Sequence, residues 1–447
     1  RLARLMAAIR AERGDKVLAL DGGDLLQGSY TSLVTQGGDM IRVAEALGFE
    51  ATTGHWEFTL GEARIAELFG ADGRHGTARV PFLAGNVVET EFAEPAFAST
   101  RMFDKGGVRI AVIGQAFPYT PIANPRWMIP RWSFGIRERR LQRHVDMARA
   151  AGASVVVLLS HNGFDVDRKL ATRVRGLDVI LTAHTHDALP APVQVGRTLL
   201  VASGSHGKFL SRLDLDIEAG RVKDFRYALI PVLADAIRPH GEMTALVDDI
   251  RAPHAARLGT TLATTQSLLY RRDTIKGTLD DVICHAMLQQ RDAEICLSPG
   301  FRWGATLLPD QPITEEDVYN ATAITYPACY RTRMTGERIK TILEDVADNL
   351  FNPDPYYQQG GDMVRVGGMS FVLDPEESLG NRVSGLTLTR TSEPIDAARE
   401  YWVAGWGSVA ESVEGPPIWD VVKAHLAATR VVDVQPTGAV RVVEHHP

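Results

Sequence analysis

Residues 154–163 read Ser-Val-Val-Val-Leu-Leu-Ser-His-Asn-Gly, and residues 177–187 read Leu-Asp-Val-Ile-Leu-Thr-Ala-His-Thr-His-Asp. Each stretch contains a short apolar run, which is typical of a strand buried on both faces of a parallel sheet. Each run ends in polar residues, His161 in the first stretch and His184 and His186 in the second. Open α/β sheets build their sites at the carboxyl ends of their strands. The two stretches therefore predict a layered α/β domain with a site at one edge of its sheet.

The same alternation of apolar runs and amphipathic segments extends over the first half of the chain. Helical spacing of apolar residues is clear at 1–13 and at 136–150. The stretch from Pro231 to about Gly259 has three prolines and a short helical pattern, and within it we place an interdomain linker at 236–260. The chain is thus predicted to contain one domain at 1–235 and a second at 261–447.

The composition excludes several classes of protein. The 447 residues are 45% hydrophobic and 23% charged, which is usual for a globular chain. The net charge of -7 indicates no basic surface for nucleic acid. No uncharged apolar run reaches the roughly 18–20 residues of a membrane span. We therefore expect neither nucleic acid nor a membrane as a partner. Cys284, Cys296 and Cys329 lack CxxC spacing, so they predict neither a disulfide framework nor a cysteine-based zinc site.

Four polar clusters follow apolar runs, and their side chains suit a divalent metal ion. The clusters are Asp21-Gly22-Gly23-Asp24, Gly54-His55-Trp56-Glu57, Ser160-His161-Asn162-Gly163 and Ala183-His184-Thr185-His186-Asp187. His184 and His186 lie two positions apart, so on an extended segment both rings would point to the same side. Imidazoles with a carboxylate suit manganese, iron or zinc, and a carboxylate can bridge two ions. Taken singly, each cluster is equally well explained as a polar turn.

The order of these clusters resembles the 5′-nucleotidase superfamily of calcineurin-like metallophosphoesterases. That family carries the motifs D-x-H, G-G-D, G-N-H-E, a single His after a strand, and G-H-x-H. Asp24 matches the second motif, His161 the fourth, and His184 and His186 the fifth, with Ala183 in place of its glycine. The family's arginine-bearing loop and its later G-G-D loop are matched in the second half of this chain by Ser298-Pro299-Gly300-Phe301-Arg302 and Gly360-Gly361-Asp362. The resemblance covers essentially the whole chain.

The third motif narrows the resemblance to one branch of this superfamily. Where nucleotidases have G-N-H-E-F, this chain has Gly54-His55-Trp56-Glu57-Phe58. That variant looks like the SoxB family of thiosulfohydrolases, as do the stretches 270–274, 302–304 and 357–362. By this resemblance His55 stands at the position of a metal-binding Asn. Trp56 stands at the position of a His that can protonate a leaving alkoxide.

Trp56 changes what the motif can do chemically. An indole cannot give up its proton in the physiological pH range, so the acid function of the nucleotidase His is lost. A persulfide or thiol needs less help to leave, because its pKa lies well below that of an alcohol. The site therefore suits the expulsion of sulfur better than that of a sugar hydroxyl. The alternative is a structural Trp56, with His55 merely capping the turn.

The resemblance implies a four-layered αββα metallophosphoesterase domain followed by a smaller α/β 5′-nucleotidase C-terminal domain. It also implies a metal-dependent hydrolase with two divalent ions. Manganese is the family expectation, while the ligand types equally allow zinc or iron. By resemblance Asp24 bridges the two ions, and His55, His161 and His186 bind one of them. His184 would help to bind the other, although which histidine serves which ion stays open.

Five residues are expected at the substrate. Arg302 matches the family's substrate-anion arginine, and a guanidinium fork suits a sulfonate or phosphate group. Arg302 and the metal-bridging Asp24 are the two expected catalytic residues. The alternative for Arg302 is a surface salt bridge without a role in the reaction. Asp362 matches the nucleotidase residue that contacts ribose, and Tyr356 or Tyr357 lies where those enzymes keep a base-stacking aromatic. With Trp56, these side chains would here contact the substrate and hold its carrier peptide.

By resemblance the reaction is hydrolysis of a carrier-bound cysteine S-thiosulfonate with release of sulfate, in the Sox pathway of sulfur oxidation. The expected partner is the carrier protein SoxYZ, and the expected location is the periplasm. Two alternatives remain, a 5′-nucleotidase-like phosphoesterase and a non-catalytic carrier-binding relative. The chain starts at Arg1 and lacks the D-x-H motif, so we expect that motif and an export signal upstream.

Three further residues near strand ends are expected to have lesser roles. Asn86 follows a predicted strand at 80–84 and could support the site from behind. His206 follows another predicted strand and could border the site. Asp167 is expected to cap the helix that follows His161.

Overall fold

The stretch 154–163 forms a fully buried strand, Val155–Ser160, in the computed structural model, which describes residues 1–70, 76–435 and 438–445. Its three consecutive valines favour a strand because branched side chains pack well on a pleated surface. The strand ends at His161, and Gly163, with a φ of 100°, turns the chain into the helix Phe164–Arg173. The predicted buried strand is therefore present, with polar residues directly after it.

This strand lies inside a six-stranded sheet of the first unit. From one edge to the other, the strands are Thr100–Lys105, Val108–Gln115, Val155–Ser160, Val179–Thr182, Thr198–Val201 and Val193–Val195. The four inner strands are parallel, and each edge strand is antiparallel to its neighbour. The register pairs Ser160 with Gln115 on one side and with Thr182 on the other. His161 and His184 therefore lie at the same end of the sheet, beyond the carboxyl ends of neighbouring parallel strands.

Three short parallel bridges continue this arrangement in the first 100 residues. They pair Leu20 with Ala51, Thr52 with Phe82, and Leu83 with Ala98. The extended segments around them end just before Asp24, His55 and Asn86, which places these polar residues at segment ends as the sequence predicts. The stretch predicted as a strand at 80–84 forms only these isolated bridges.

The helices of the first unit bury apolar residues at helical spacing. In Glu138–Ala150 the buried residues are Leu141, Val145 and Ala148, which lie on one face. The helices are Leu2–Arg13, Gly38–Leu47, Glu62–Phe69, Thr120–Ala123, Glu138–Ala150, Phe164–Arg173 and Gly241–Arg251. The unit also contains the strand pair Val88–Glu89 and Trp132–Ser133 and the antiparallel hairpin Phe209–Glu218 and Arg221–Pro231.

From residue 253 onward, the second unit contains three sheets and five α-helices among its described residues. The largest sheet has the order Cys329–Thr335, Glu400–Trp406, Ile295–Ser298, Arg365–Gly367. One smaller sheet has the order Pro312–Thr314, Thr261–Thr265, Val431–Val432. The other has the order Val383–Leu388, Met369–Leu373, Val440–Val442. The helices are Ala255–Leu258, Thr278–Gln290, Glu315–Thr322, Gly336–Phe351 and Ile418–Thr429.

The chain divides into two compact units, which confirms the predicted two-domain α/β architecture. The first unit comprises 1–27 and 34–252, and the second comprises 28–33 and 253–447. The helix Tyr30–Thr35 begins in the segment that groups with the second unit. The helical segment expected in the linker is present as Gly241–Arg251 and groups with the first unit. Among the described residues, no helix has the length and apolar character that crossing a membrane requires.

Candidate metal centre

The strand ends of the first unit bring four of the predicted ligands together. One ligand atom from each of Asp24, His55, His161 and His184 lies within 4.8 Å of the other three. The histidines are buried, and the Asp24 side chain is 20% exposed. A carboxylate with three imidazoles suits a divalent ion such as manganese, iron or zinc.

A glycine next to Asp24 allows its carboxylate to reach this position. Gly23 has a φ of 90°, and a Cβ there would lie 2.8 Å from the carbonyl oxygen of Thr53. Asp24 itself has a φ of 62°, in the left-handed region that few side-chain-bearing residues adopt. Its Oδ1 accepts a hydrogen bond from the backbone N–H of Trp56, at 3.0 Å. Strained backbone of this kind concentrates at functional sites.

His55 and His161 each use one ring nitrogen to bond a carbonyl oxygen. Nε2 of His55 lies 3.1 Å from Oδ1 of Asn124, and Nδ1 of His161 lies 2.5 Å from the backbone oxygen of Gly22. A nitrogen that bonds a carbonyl oxygen carries the proton, so the other nitrogen of a neutral ring presents its lone pair.

The second nitrogen of each of these two rings faces the Asp24 carboxylate. Nδ1 of His55 lies 3.4 Å from Oδ1 of Asp24, and Nε2 of His161 lies 3.0 Å from Oδ2. Nδ1 of His55 is buried and makes no hydrogen bond to any part of the chain that the structure describes. Carbonyl groups that orient histidine rings in this way are usual around metal ions. The residues present therefore fit a divalent metal ion.

Near neutral pH, Asp24 and His55 are in the forms that bind a cation. Burial opposes the charged form of His161, but the Asp24 carboxylate prevails and raises the pKa of His161 to about 9. Burial likewise opposes ionisation of Asp24, but His161 and His55 hold the pKa of that carboxyl well below its usual range. Burial lowers the pKa of His55. Asp24 is thus an anion and His55 is neutral, which are the forms that bind metals, whereas His161 must release a proton to bind one.

His184 and His186 separate, because the segment that carries them is not extended. Their φ values are 75° and 61°, both in the left-handed region. The His184 ring stacks on Phe117, with centroids 4.1 Å apart, and belongs to the four-residue group. The His186 ring lies 5.7 Å from the ring of His206 and outside that group. His184, and not His186, therefore lies beside His55 and His161, and which histidine binds which ion stays a prediction.

Comparisons with known proteins identify the family. A family model described as "5′-nucleotidase, C-terminal domain" matches residues 257–423. A 5′-nucleotidase of Diplobatis ommata is 27% identical over 234 residues, which are 47% of this chain and 39% of that protein. The chain spans well under two thirds of the first curated relatives' own length. The solved 5′-nucleotidase precursor of Thermus thermophilus has the same fold, with a TM-score of 0.84 at 22% identity, covering 100% of this chain and 94% of that one.

The solved sulfate thiohydrolase SoxB of Thermus thermophilus is 38% identical to this chain, with a TM-score of 0.94. The match covers 100% of this chain and 83% of that one. The chain belongs to the SoxB family. The predicted resemblance to SoxB and to the 5′-nucleotidase superfamily is therefore confirmed.

Two residues that support the metal group in this SoxB-family chain were not predicted. Asn124 bonds the His55 ring from a position 69 residues further along the chain, and no local sequence signal marks it. Glu57 is 1% exposed and accepts hydrogen bonds from the backbone N–H groups of His55, at 2.8 Å, and Leu25, at 2.6 Å. Burial and the Asp24 carboxylate raise the pKa of Glu57 to about 7. Glu57 belongs to the third motif, and its place in that motif is the sequence signal that could have identified it.

Asp167 and Asn86 support the loops around the site. Asp167 is fully buried, and its Oδ1 accepts hydrogen bonds from Ser160, at 2.8 Å, and from Asn162, at 2.9 Å. It therefore fixes the turn that carries His161, a larger role than the expected helix cap. Asn86 donates to the carbonyl of Ala116 at 2.7 Å and accepts from the same residue's N–H at 2.8 Å.

The predicted substrate residues of the second unit lie in two neighbouring loops. The Arg302 side chain is 13% exposed, and its Nε lies 3.7 Å from Oδ1 of Asp362. Burial raises the pKa of Asp362, and the nearby arginines, Arg302 first, oppose that shift. Tyr356 and Tyr357 belong to a single helical turn, in which Tyr357 is 67% exposed.

Proposed function

We propose that this SoxB-family chain is a thiosulfohydrolase that hydrolyses a carrier-bound cysteine S-thiosulfonate and releases sulfate. The observation that carries the proposal is Trp56 beside the metal group. Its backbone N–H bonds Asp24, and its ring lies 5.4 Å from the His55 ring. An indole at this position cannot protonate an alkoxide, so it favours a leaving group that departs as an anion at neutral pH.

In the proposed reaction one S–S bond is exchanged for one S–O bond. The oxygen of water bonds to the terminal sulfonate sulfur, and the bond to the neighbouring sulfur breaks. The electron pair leaves with the carrier's persulfide, and the water protons pass to the two products. A persulfide is a good leaving group because its pKa is low compared with that of an alcohol.

The chain's own residues would hold and orient the reactants. Asp24, His55, His161 and His184 would bind a divalent ion, and His186 is proposed to contribute to a second one. Such ions polarise oxygen atoms and lower the pKa of bound water. Manganese is the proposed metal.

We propose Arg302 as the anion anchor. Arg302 offers a planar guanidinium, which matches the oxygens of a sulfonate. Tyr356 and Tyr357 are proposed to contact the carrier peptide, since an exposed aromatic ring gives a large contact surface at low entropic cost. We propose SoxYZ as the carrier and the periplasm as the location, because both belong to the pathway of the family.

The decisive experiment offers the metal-loaded protein two substrates, S-thiosulfonated SoxYZ and AMP. We expect rapid sulfate release from the first and little phosphate release from the second. Fast AMP hydrolysis without sulfate release would support a nucleotidase instead. Absence of both activities in a protein with full metal content would support a non-catalytic carrier-binding relative.

A matched pair of variants tests the role of Trp56. Trp56→His restores an acid that can protonate an alkoxide, so we expect AMP hydrolysis to rise at least about tenfold, part of the 10²–10⁴ that general acids supply. Trp56→Phe keeps an aromatic ring without an acid and should give no such rise. Equal AMP rates in both variants would contradict the argument from the leaving group.

A further inference from the structure

A line of five charged side chains crosses the second unit, and their charges alternate in sign. Its members, in spatial order, are Arg271, Asp280, Arg365, Asp362 and Arg302, hereafter the ion-pair line. Asp280 lies 2.8 Å from Nε of Arg271 through Oδ1 and 3.2 Å from Nε of Arg365 through Oδ2. Asp362 lies 2.8 Å from Nη2 of Arg365 through Oδ2 and 3.7 Å from Nε of Arg302 through Oδ1.

Burial decreases along the ion-pair line. The side chains of Arg271, Asp280 and Arg365 are 0% exposed, that of Asp362 is 4% exposed, and that of Arg302 is 13% exposed. The buried end rests on regular structure, since Asp280 lies in the first turn of the helix Thr278–Gln290 and Arg365 begins a strand. The open end is the loop after Ser298, which pairs with Arg365 in the sheet. The line thus connects rigid elements to the loop of Arg302.

The ion-pair line contains three guanidinium groups and two carboxylates. A buried charge is costly unless it is paired, and each of the two carboxylates, Asp280 and Asp362, faces two guanidinium groups. Arg302 is the most exposed member of the line, so it is the member that an anion from solvent can reach.

We propose that Asp362 is a positioning residue, which holds the guanidinium of Arg302 for an anionic group of the substrate and does not contact the substrate itself. Each Asp362 oxygen faces a guanidinium, and Arg365 is fixed in turn by Asp280. This differs from the role expected from nucleotidases, in which the matching residue contacts ribose. The inference rests on the proposed function only in taking Arg302 as the anion anchor.

A double-mutant cycle tests this inference without requiring turnover. Calorimetry would measure thiosulfate binding to four metal-loaded, full-length proteins, namely wild type, Arg302→Gln, Asp362→Asn and the double variant. We expect each single substitution to weaken thiosulfate binding about tenfold. An effect of this size lies within the range of interaction energies between residues in one ion-pair network. In the Arg302→Gln background, Asp362→Asn should add less than about twofold, because its effect passes through Arg302.

Several outcomes would overturn the inference. An equal effect of Asp362→Asn in both backgrounds would mean that Asp362 contacts the anion or acts only on the fold. Wild-type binding that does not depend on Arg302, or no binding at all, would also overturn it. If Asp362→Asn does not fold, Arg365→Lys provides the second variant, since it loosens Asp362 while keeping the charge, and it should be equally non-additive with Arg302→Gln.

The control lies in the same unit. Asp348 accepts a hydrogen bond from Arg382 at 2.7 Å, and Asp348→Asn should leave thiosulfate binding unchanged. The assay of sulfate and phosphate release judges the proposed function separately. A protein that hydrolyses AMP but not the thiosulfonate would end the proposed function, while the cycle would still decide the role of Asp362.

Discussion

The metal group of the first unit and the ion-pair line of the second are built from the same kinds of side chain, yet they are arranged differently. The metal group lies on turns after strands, and Asp24 and His184 have φ values of 62° and 75°. Ring nitrogens of His55 and His161 converge on its single carboxylate, that of Asp24. The ion-pair line is anchored on a helix and a strand, and donors face acceptors along it. The first arrangement is suited to binding a cation, and the second to holding side chains in place.

The strongest test of this contrast is Asp24→Asn. The substitution keeps the shape and tolerates the left-handed backbone, but it removes the anionic ligand. We expect metal content and sulfate release to fall more than about 100-fold, beyond the 10–100-fold typical of residues that only orient ligands. The metal-free variant should melt closer to wild type than Asp280→Asn does. Asp165→Asn, on the exposed face of the helix after His161, is the control. Full metal content in Asp24→Asn would contradict the assigned centre.

Asp280→Asn should give the largest loss of stability. It leaves two buried guanidinium groups without their shared carboxylate, and breaking a buried ion pair costs about 3–5 kcal/mol. Urea unfolding followed by a signal from the second unit would measure this. Asp348→Asn, whose side chain is 23% exposed, should cost clearly less. A loss below about 1 kcal/mol for Asp280→Asn would mean that the line does not stabilise the unit.

The sequence alone located most of the metal group but not its details. The apolar runs that end at Ser160 and Thr182 are rich in β-branched residues and are followed by polar clusters, so their strands and the ligands after them were predictable. The separation of His184 from His186 was not, because it depends on two left-handed residues in a segment treated as extended. Side-chain alternation holds only where the backbone is regular.

Contacts between residues that lie far apart in the sequence were the second feature that sequence patterns could not predict. Asn124 and His55 lie 69 residues apart, and Arg271 and Arg365 are 94 apart, so no local pattern pairs them. Asp167 was expected to be a helix cap, since it lies in the first turn after His161. Its burial against Ser160 and Asn162 depends on how the helix packs on the sheet. Periodicity predicts elements, but such pairings require the tertiary structure.

Asn124→Ala tests whether the carbonyl oxygen behind His55 matters to the metal group. Removing it frees the His55 ring to rotate and to change tautomer. We expect metal affinity, measured by competition with a chelator, to fall about 10–100-fold. Gln194→Ala removes an exposed side chain that bonds a nearby carbonyl at 3.1 Å in the same unit, and should have no effect. Unchanged affinity in Asn124→Ala would show that packing orients the His55 ring without this bond, for example against Phe117, whose ring centroid lies 4.1 Å from that of His55.

The smallest expected effect is at an exposed pair near the end of the described chain, His445 and Asp374, whose atoms Nε2 and Oδ1 lie 2.8 Å apart. The hydrogen bond to Asp374 raises the pKa of His445 above its ordinary 6.5, and the same bond lowers the pKa of Asp374 below its ordinary 3.8. A raised histidine pKa contributes stability that is complete below pH 6.5 and is lost as pH rises through the folded value. A lowered aspartate pKa contributes stability above pH 3.8 that is lost as pH falls through the folded value.

His445→Gln should therefore lower the melting temperature at pH 5–6 and not at pH 9. The decrease should be slight, because surface pairs contribute little and are screened by salt. A difference that persisted unchanged at pH 9 would show that packing, and not charge, is what the substitution removes.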